Sequence, residues 1–122
     1  MADQLKGLHA LITGAGGGIG LAVTAAYLRE GARCTAADIR EAPSSELHAL
    51  MQAHPDRLHY VAADVASNAS IAAMVAGARQ RFGTVTVLFN NAAVFDLAPL
   101  LEADERSYQR IFDVNEIGRA HV

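Results

Sequence analysis

The chain has no tryptophan, one cysteine, one lysine and three prolines among its 122 residues. A lone cysteine, Cys34, excludes an internal disulfide framework. In an apolar run it reads as a small buried side chain. No cysteine cluster is present to hold zinc, and no two of the five histidines stand at the i, i+4 spacing of a helical ligand pair. No metal is therefore expected, and the histidines are read as surface or half-buried. No apolar run approaches the roughly 20 residues of a membrane span, and residues 1–6 lack the basic-then-apolar pattern of a secretory leader. Ten Lys and Arg against thirteen Asp and Glu give a net charge of −3, with no basic footprint for nucleic acid. A G-x-S-x-G elbow is absent, and with it the usual setting of a serine nucleophile. The expected setting is cytoplasmic, with neither nucleic acid nor membrane as partner.

What is present is a regular alternation of strand and helix signals, which implies an α/β fold with a parallel sheet covered on both faces. Hydrophobic residues make up 52% of the chain, enough for one core at this length. Strands are expected at 8–12, 33–38, 58–61 and 85–89. The first helix should run from Ile19, with Ile19, Val23, Ala26 and Tyr27 on its apolar stripe, and end at Gly31 as a C′ glycine. A second begins near Pro43, Ser44 and Ser45 and carries Leu47, Leu50 and Met51. A third is capped by Ser67 or Asn68, bears Ile71, Met74, Val75, Ala78 and Phe82, and stops at Gly83. A last helix opens at Asp104 with Tyr108, Ile111, Phe112 and Asn115.

Between the first strand and first helix lies Thr13-Gly14-Ala15-Gly16-Gly17-Gly18-Ile19-Gly20. Glycines at such a junction let the backbone turn sharply and let a diphosphate approach amide N–H groups. The helix that follows aims its positive end at the phosphates. The spacing is T-G-x-x-x-G-x-G, with Ile19 where a third glycine of G-x-G-x-x-G would fall. Further along come Asp38 at the end of the second strand, Asp64-Val65 after the third, Asn90-Asn91-Ala92-Ala93 after the fourth, and Val114-Asn115 on the last helix. In this ordered set the chain resembles the short-chain dehydrogenase/reductase family over nearly its whole length.

The resemblance implies a Rossmann-like, doubly wound parallel sheet, here its N-terminal half of about four strands. The first strand would be central, with the second and third on one side and the fourth on the other. It implies an NAD-binding site at Gly14, Gly16, Gly17, Gly18, Ile19, Gly20, Asp38, Ile39, Asp64, Val65, Asn91, Ala92 and Ala93. Asp38 would accept both adenosine-ribose hydroxyls and repel a 2′-phosphate, favouring NAD over NADP. Arg40, two residues on, is a side chain able to steady such a phosphate instead. Asp64 would meet the adenine amine, and Val65 its ring; taken alone, Asp64 reads equally well as a loop or cap residue. Thr13 and Asn90 would be structural, tying strands together. Where the family usually has a glycine this chain has Ala93, which narrows the approach to the nicotinamide ribose. Asn115 would serve catalysis through a backbone carbonyl that holds a relay water.

The family's Y-x-x-x-K pair acts as general acid/base and its support. Here the residues four beyond the tyrosines are Gly31, Asp64 and Phe112, and the one lysine is Lys6. The chain therefore reads as the N-terminal part of a protein about twice as long, inactive by itself, with the outer edge of its fourth strand open to aggregation. The parent would be an oxidoreductase that interconverts a small-molecule alcohol and carbonyl by hydride transfer, and a homo-oligomer. The alternative is a non-catalytic module that binds an adenine dinucleotide.

Residues 1–115 are read as a truncated NAD-binding domain and 116–122 as a non-native tail. Glu116-Ile117-Gly118-Arg119-Ala120-His121-Val122 matches the translation of a common sequencing adapter, AGATCGGAAGAGCACACGTC. Against this, Gly118 coincides with a glycine the family often carries three residues after its asparagine. The nucleotides encoding residues 117–122 are expected to read ATCGGAAGAGCACACGTC when the coding DNA is sequenced. Synonymous codons that depart from that string would remove the adapter reading.

Overall fold

The burial of all five side chains of β1 (His9–Thr13) marks it as the centre of the sheet. In the computed structural model, which describes residues 4–91, β1 is followed by α1 (Gly18–Arg29) and β2 (Arg33–Asp38). Then come α2 (Ser45–Ala53), β3 (Leu58–Ala62), α3 (Asn68–Phe82) and β4 (Val87–Asn90). The strand order is β3-β2-β1-β4, all pairs parallel. The chain thus winds outward through β2 and β3, then crosses back through α3 to the other side of β1. That reversal makes the carboxyl ends of β1 and β4 a topological switch point.

Strand side chains alternate between two apolar layers, as the pleat requires. Ala10, Ile12, Cys34, Ala36 and Leu58 form one layer with Leu28 of α1 and Leu47 of α2. Leu11 and Ala37 form the other with Ile71, Met74, Val75 and Ala78 of α3. The small residues of β1 and β2 leave the helices room to lie close to the sheet. Side chains punctuate the helices as their sequences suggest. Ser44 Oγ accepts the Leu47 N–H at 3.2 Å, and Ser67 Oγ accepts the Ser70 N–H at 3.2 Å. Gly31 and Gly83 follow their helices with φ of 93° and 81°.

Three expectations are corrected. β4 begins at Val87 rather than 85, because Thr86 joins β1 through its side chain as well as its backbone. Its Oγ1 accepts the His9 N–H at 2.9 Å, and its own N–H reaches the His9 carbonyl at 2.9 Å. A hydroxyl takes the place of a ladder carbonyl there. Helix α1 starts at Gly18, and its buried residues are Gly20, Thr24 and Leu28. Ile19 lies outside that stripe and is 65% exposed.

The third correction is His9, which is 1% exposed and so fully buried rather than at the surface or half-buried. The central strand leaves it no outlet, and its ring finds partners on both nitrogens. Nε2 lies 2.7 Å from Thr35 Oγ1 and Nδ1 lies 3.1 Å from the Gly83 carbonyl oxygen. The Phe82 ring meets it edge-on at 5.3 Å. Nearby, Arg57 Nη1 donates to the Leu28 and Ala32 carbonyls at 2.9 and 3.1 Å, satisfying acceptors where α1 ends. Burial raises the Cys34 thiol to about 12, so it stays protonated and inert. The helix expected from Asp104, together with Ala92, Ala93, Asn115 and residues 116–122, lies outside the described residues.

Burial holds the His9 imidazole below its ordinary value, outweighing the carbonyls that favour its protonation. The unfolded chain therefore takes up this proton first as pH falls below about 6.5, and stability falls with pH from there through the folded-state value. Burial lowers His59 as well, adding to the same trend. Thermal unfolding followed from pH 8 to 5 should show this decline, and His9→Gln should flatten part of it. At pH 8 the same variant should cost roughly 1–3 kcal/mol, through disturbed buried hydrogen bonds.

Candidate functional site

Register brings the carboxyl ends of the inner strands level. Thr13 pairs with Ala37 on one side and Asn90 on the other, while Asp38 pairs with Ala62 one step further. The glycine turn leaves β1 in the middle of this row. Its Ala15 N–H reaches across to the Ala37 carbonyl at 3.0 Å. Thr13 Oγ1 donates to Asn90 Oδ1 at 3.1 Å and accepts the Asn91 N–H at 3.0 Å, so the ends of β1 and β4 are cross-tied. Asn91 Nδ2 also donates to the Gly14 carbonyl at 3.3 Å and props the turn from the β4 side. Thr13 and Asn90 thus occupy the strand-tying positions that the sequence suggests.

Two glycines are required by close approach. A Cβ on Gly20 would lie 2.1 Å from the Gly14 carbonyl oxygen, so the first turn of α1 rests directly on the backbone it grew from. A Cβ on Gly16 would lie 2.6 Å from Asp38 Oδ2. That space is used, because Asp38 Oδ2 accepts the Gly16 N–H at 2.7 Å. Gly14 and Gly18 reverse the chain at positive φ, 64° and 54°. Helix α1 then begins after Gly17 with no side-chain cap and no acidic residue in its first turn. Its leading N–H groups have no intrahelical acceptor, and the helix dipole adds positive potential at that end. The geometry suits a diphosphate.

Asp38 Oδ1 accepts the Ile39 N–H at 2.7 Å, so both carboxylate oxygens are oriented by backbone donors. Each oxygen keeps a further lone pair for a ligand hydroxyl. Beside it opens a cleft of about 240 Å³ lined by Thr13, Gly14, Ala37, Asp38, Ile39, Ala63 and Val65. Ile39, 70% exposed, and Ile19 are the large hydrophobic side chains left to solvent among the described residues. Both flank the glycine turn, one at the cleft and one at the start of α1. An apolar surface left open beside a polar turn is what a flat, partly apolar ring system covers.

Asp64 stands differently from its neighbours. Its Oδ1 accepts the Ala66 N–H at 2.9 Å, its N–H reaches Ser70 Oγ at 2.8 Å, and its carbonyl accepts the Ser67 N–H at 3.0 Å. The carboxylate turns the chain into α3, while Ala63 and Val65 line the cleft. The structure thus gathers Gly14, Gly16, Gly17, Gly18, Ile19, Gly20, Asp38, Ile39, Val65 and Asn91 around the carboxyl ends of β1 and β2. Ala92, Ala93 and Asn115 lie outside the described residues. Sequence reasoning missed Tyr60, whose hydroxyl reaches the loop after Asp38. No local pattern marks it, because its partners lie about twenty residues away. Among the described residues no helix is long and apolar enough to cross a membrane.

A short chain dehydrogenase family profile matches residues 8–122. Sorbitol dehydrogenase of Cereibacter sphaeroides is 43% identical over 119 residues, which cover 94% of this chain and 44% of that protein. Galactitol 2-dehydrogenase of Agrobacterium fabrum is 42% identical over 112 residues, 92% of this chain and 43% of that one. The chain therefore spans less than half the length of these relatives. A short-chain dehydrogenase/reductase (glucose/ribitol dehydrogenase) of Brucella melitensis superposes with a TM-score of 0.67 at 26% identity, covering 94% of this chain and 48% of that one. A 3-ketoacyl-(acyl-carrier-protein) reductase from the same organism, solved with NADH, superposes with a TM-score of 0.62 at 32% identity. That match covers 70% of this chain and 34% of the reductase.

Three glycine substitutions should separate the roles of the turn. Gly20→Ala forces helix and turn apart and should cost about 1–3 kcal/mol or more of stability. Gly16→Ala should spare most of the stability but displace the Asp38 carboxylate, weakening adenosine-dinucleotide binding. Gly77→Ala, inside α3 with nothing within 4 Å of the added methyl, should stabilise by about 0.5–1 kcal/mol. Denaturant unfolding of the three variants, with binding titrations alongside, checks the order.

Proposed function

The chain belongs to the short-chain dehydrogenase family, and on that premise we propose that it forms the NAD-binding part of an oxidoreductase that interconverts an alcohol and a carbonyl. The observation that carries the choice of NAD is the Asp38 carboxylate, held by the Gly16 and Ile39 N–H groups beside the cleft. A carboxylate there accepts the two adenosine-ribose hydroxyls and repels a 2′-phosphate. The rest of the site fits the same cofactor. The uncapped start of α1 suits the pyrophosphate, and Ile39 and Val65 offer apolar surface to the adenine. Asp64 stands at the mouth of α3, where the adenine amine would look for an acceptor.

When bound, the nicotinamide supplies or accepts the hydride. This chain's residues bind and orient. Gly14, Gly18 and Gly20 would leave room for the phosphates, Asp38 would hold the ribose, and Asn91, Ala92 and Ala93 are proposed as further cofactor-binding residues. Asn115 is proposed to hold a relay water through its backbone carbonyl. A proton must also move at the substrate oxygen. Tyr27, Tyr60 and Tyr108 have no lysine four residues on to support that step. The reaction is therefore proposed for the whole protein, as a homo-oligomer, and the 122-residue chain is expected to bind without turning over. Sorbitol and galactitol dehydrogenases among the relatives favour a polyhydroxylated secondary alcohol as the substrate class.

Titration of the chain with NAD and NADP tests the proposal. NAD should bind more tightly, and Asp38→Ala should lose about 1.5–3 kcal/mol of NAD binding while losing little toward NADP. Equal affinity for both cofactors in the unaltered chain would overturn the choice of NAD. Reduction of NAD by the chain with sorbitol or galactitol, surviving removal of host dehydrogenases, would overturn the expectation that it does not turn over.

A further inference from the structure

The segment between β2 and α2, residues 39–44, carries neither helix nor strand. It nevertheless follows Asp38 directly and presents the exposed Ile39. Residues 40–43 make one hydrogen bond in the described structure, from the Tyr60 hydroxyl to the Arg40 carbonyl oxygen. The same hydroxyl reaches the Asp38 carbonyl oxygen at 3.5 Å. That oxygen also accepts the Ala63 N–H at 2.8 Å, the last bond joining the ends of β2 and β3. Tyr60 itself is well anchored. It sits on β3, packs against the core layer beneath α1 and α2, and lines a second hollow of about 160 Å³ with Gly16, Asp38, Arg40 and Ser44.

We propose that Tyr60 is a positioning residue, whose hydroxyl clamps the backbone just beyond Ile39 to the end of the sheet and so holds the Asp38 carboxylate against Gly16. This rests on the reading of Asp38 as the ribose acceptor. The geometry is that of a peg. A half-buried ring packed on the core layer donates its one proton to the Arg40 carbonyl oxygen, and the hydroxyl also lies 3.5 Å from the Asp38 carbonyl oxygen on the other side of Ile39. With the Arg40 carbonyl held by the hydroxyl and the Asp38 carbonyl held by the Ala63 N–H, the Ile39 N–H is presented to Asp38 Oδ1, and the side chain keeps the orientation in which Oδ2 meets the Gly16 N–H. Burial and the nearby Asp38 charge keep the phenol protonated, so it remains a donor across the neutral range. The clamp therefore acts on cofactor selection without touching the cofactor's reactive end.

Tyr60→Phe keeps the ring and removes the donor. In the ligand-free chain, amide hydrogen exchange at Gly16 and Ile39, the two N–H groups that Asp38 receives, should quicken severalfold relative to amides in α3. ADP-ribose binding should weaken by about three- to tenfold, and its advantage over 2′-phospho-ADP-ribose should shrink. A hydroxyl that only supports the fold would leave that ratio unchanged. Unaltered exchange at both amides in a folded Tyr60→Phe chain overturns the proposal. So does a variant that no longer unfolds cooperatively, since the hydroxyl would then hold the core rather than the loop. If the unaltered chain binds neither nucleotide, the cofactor reading fails, and the exchange measurement alone decides the clamp.

Discussion

The first turn of α1 lies against the backbone of the turn that precedes it, and every other part of the site takes its place from that contact. A side chain on Gly20 would put its first carbon 2.1 Å from the Gly14 carbonyl oxygen. Without one, the helix begins directly over the strand ends, with uncapped N–H groups in front. That contact also draws the turn toward β2, where Ala15 bonds to the Ala37 carbonyl and Gly16 to Asp38. A surface suited to a charged diphosphate is thus built almost wholly from backbone, with one carboxylate at its edge.

The two ends of the sheet divide the work. At the carboxyl end the polar groups have capacity to spare and apolar side chains stand open, which costs stability but leaves something for a ligand to satisfy. At the amino end nearly everything is spent on the fold. His9 is closed between Thr35, Gly83 and Phe82, and Arg57 serves the carbonyls of Leu28 in α1 and Ala32 just beyond it. Arg81 lies over the Phe82 ring at 5.0 Å, the ring that meets His9 edge-on. Lys and Arg near the C-terminal ends of helices also complement the helix dipoles. Arg29, Arg79 and Arg81 stand in those last turns.

The fold was largely legible because it depends on short-range signals. Hydrophobic runs bounded by turns marked the strands, and Ser44, Ser67, Gly31 and Gly83 marked helix ends by local hydrogen bonding and backbone conformation. The errors fell where a residue's surroundings lie far away in sequence. Ile19 fits an apolar stripe by spacing, yet α1 meets the sheet through Gly20 and Thr24, and only the approach of the turn decides that. His9 reads as a surface or half-buried group until Thr35 and Gly83, 26 and 74 residues away, supply its partners. Val85 and Thr86 look like strand until the threonine hydroxyl takes over a backbone acceptor.

The family relationship and the list of candidate residues came from the ordered motifs, since glycine spacing and strand-end acids are written directly in the chain. The sequence alone thus determined the strand–helix alternation, the glycine turn and the acid at the end of β2. Which atoms those residues spend on one another was decided only by the tertiary structure. Asp38 faces Gly16 because parallel register sets the ends of β1 and β2 side by side. Tyr60 reaches the Asp38 loop because β3 pairs with β2. Each of these contacts spans strands or a turn, and long-range proximity is fixed by packing, which no local pattern encodes.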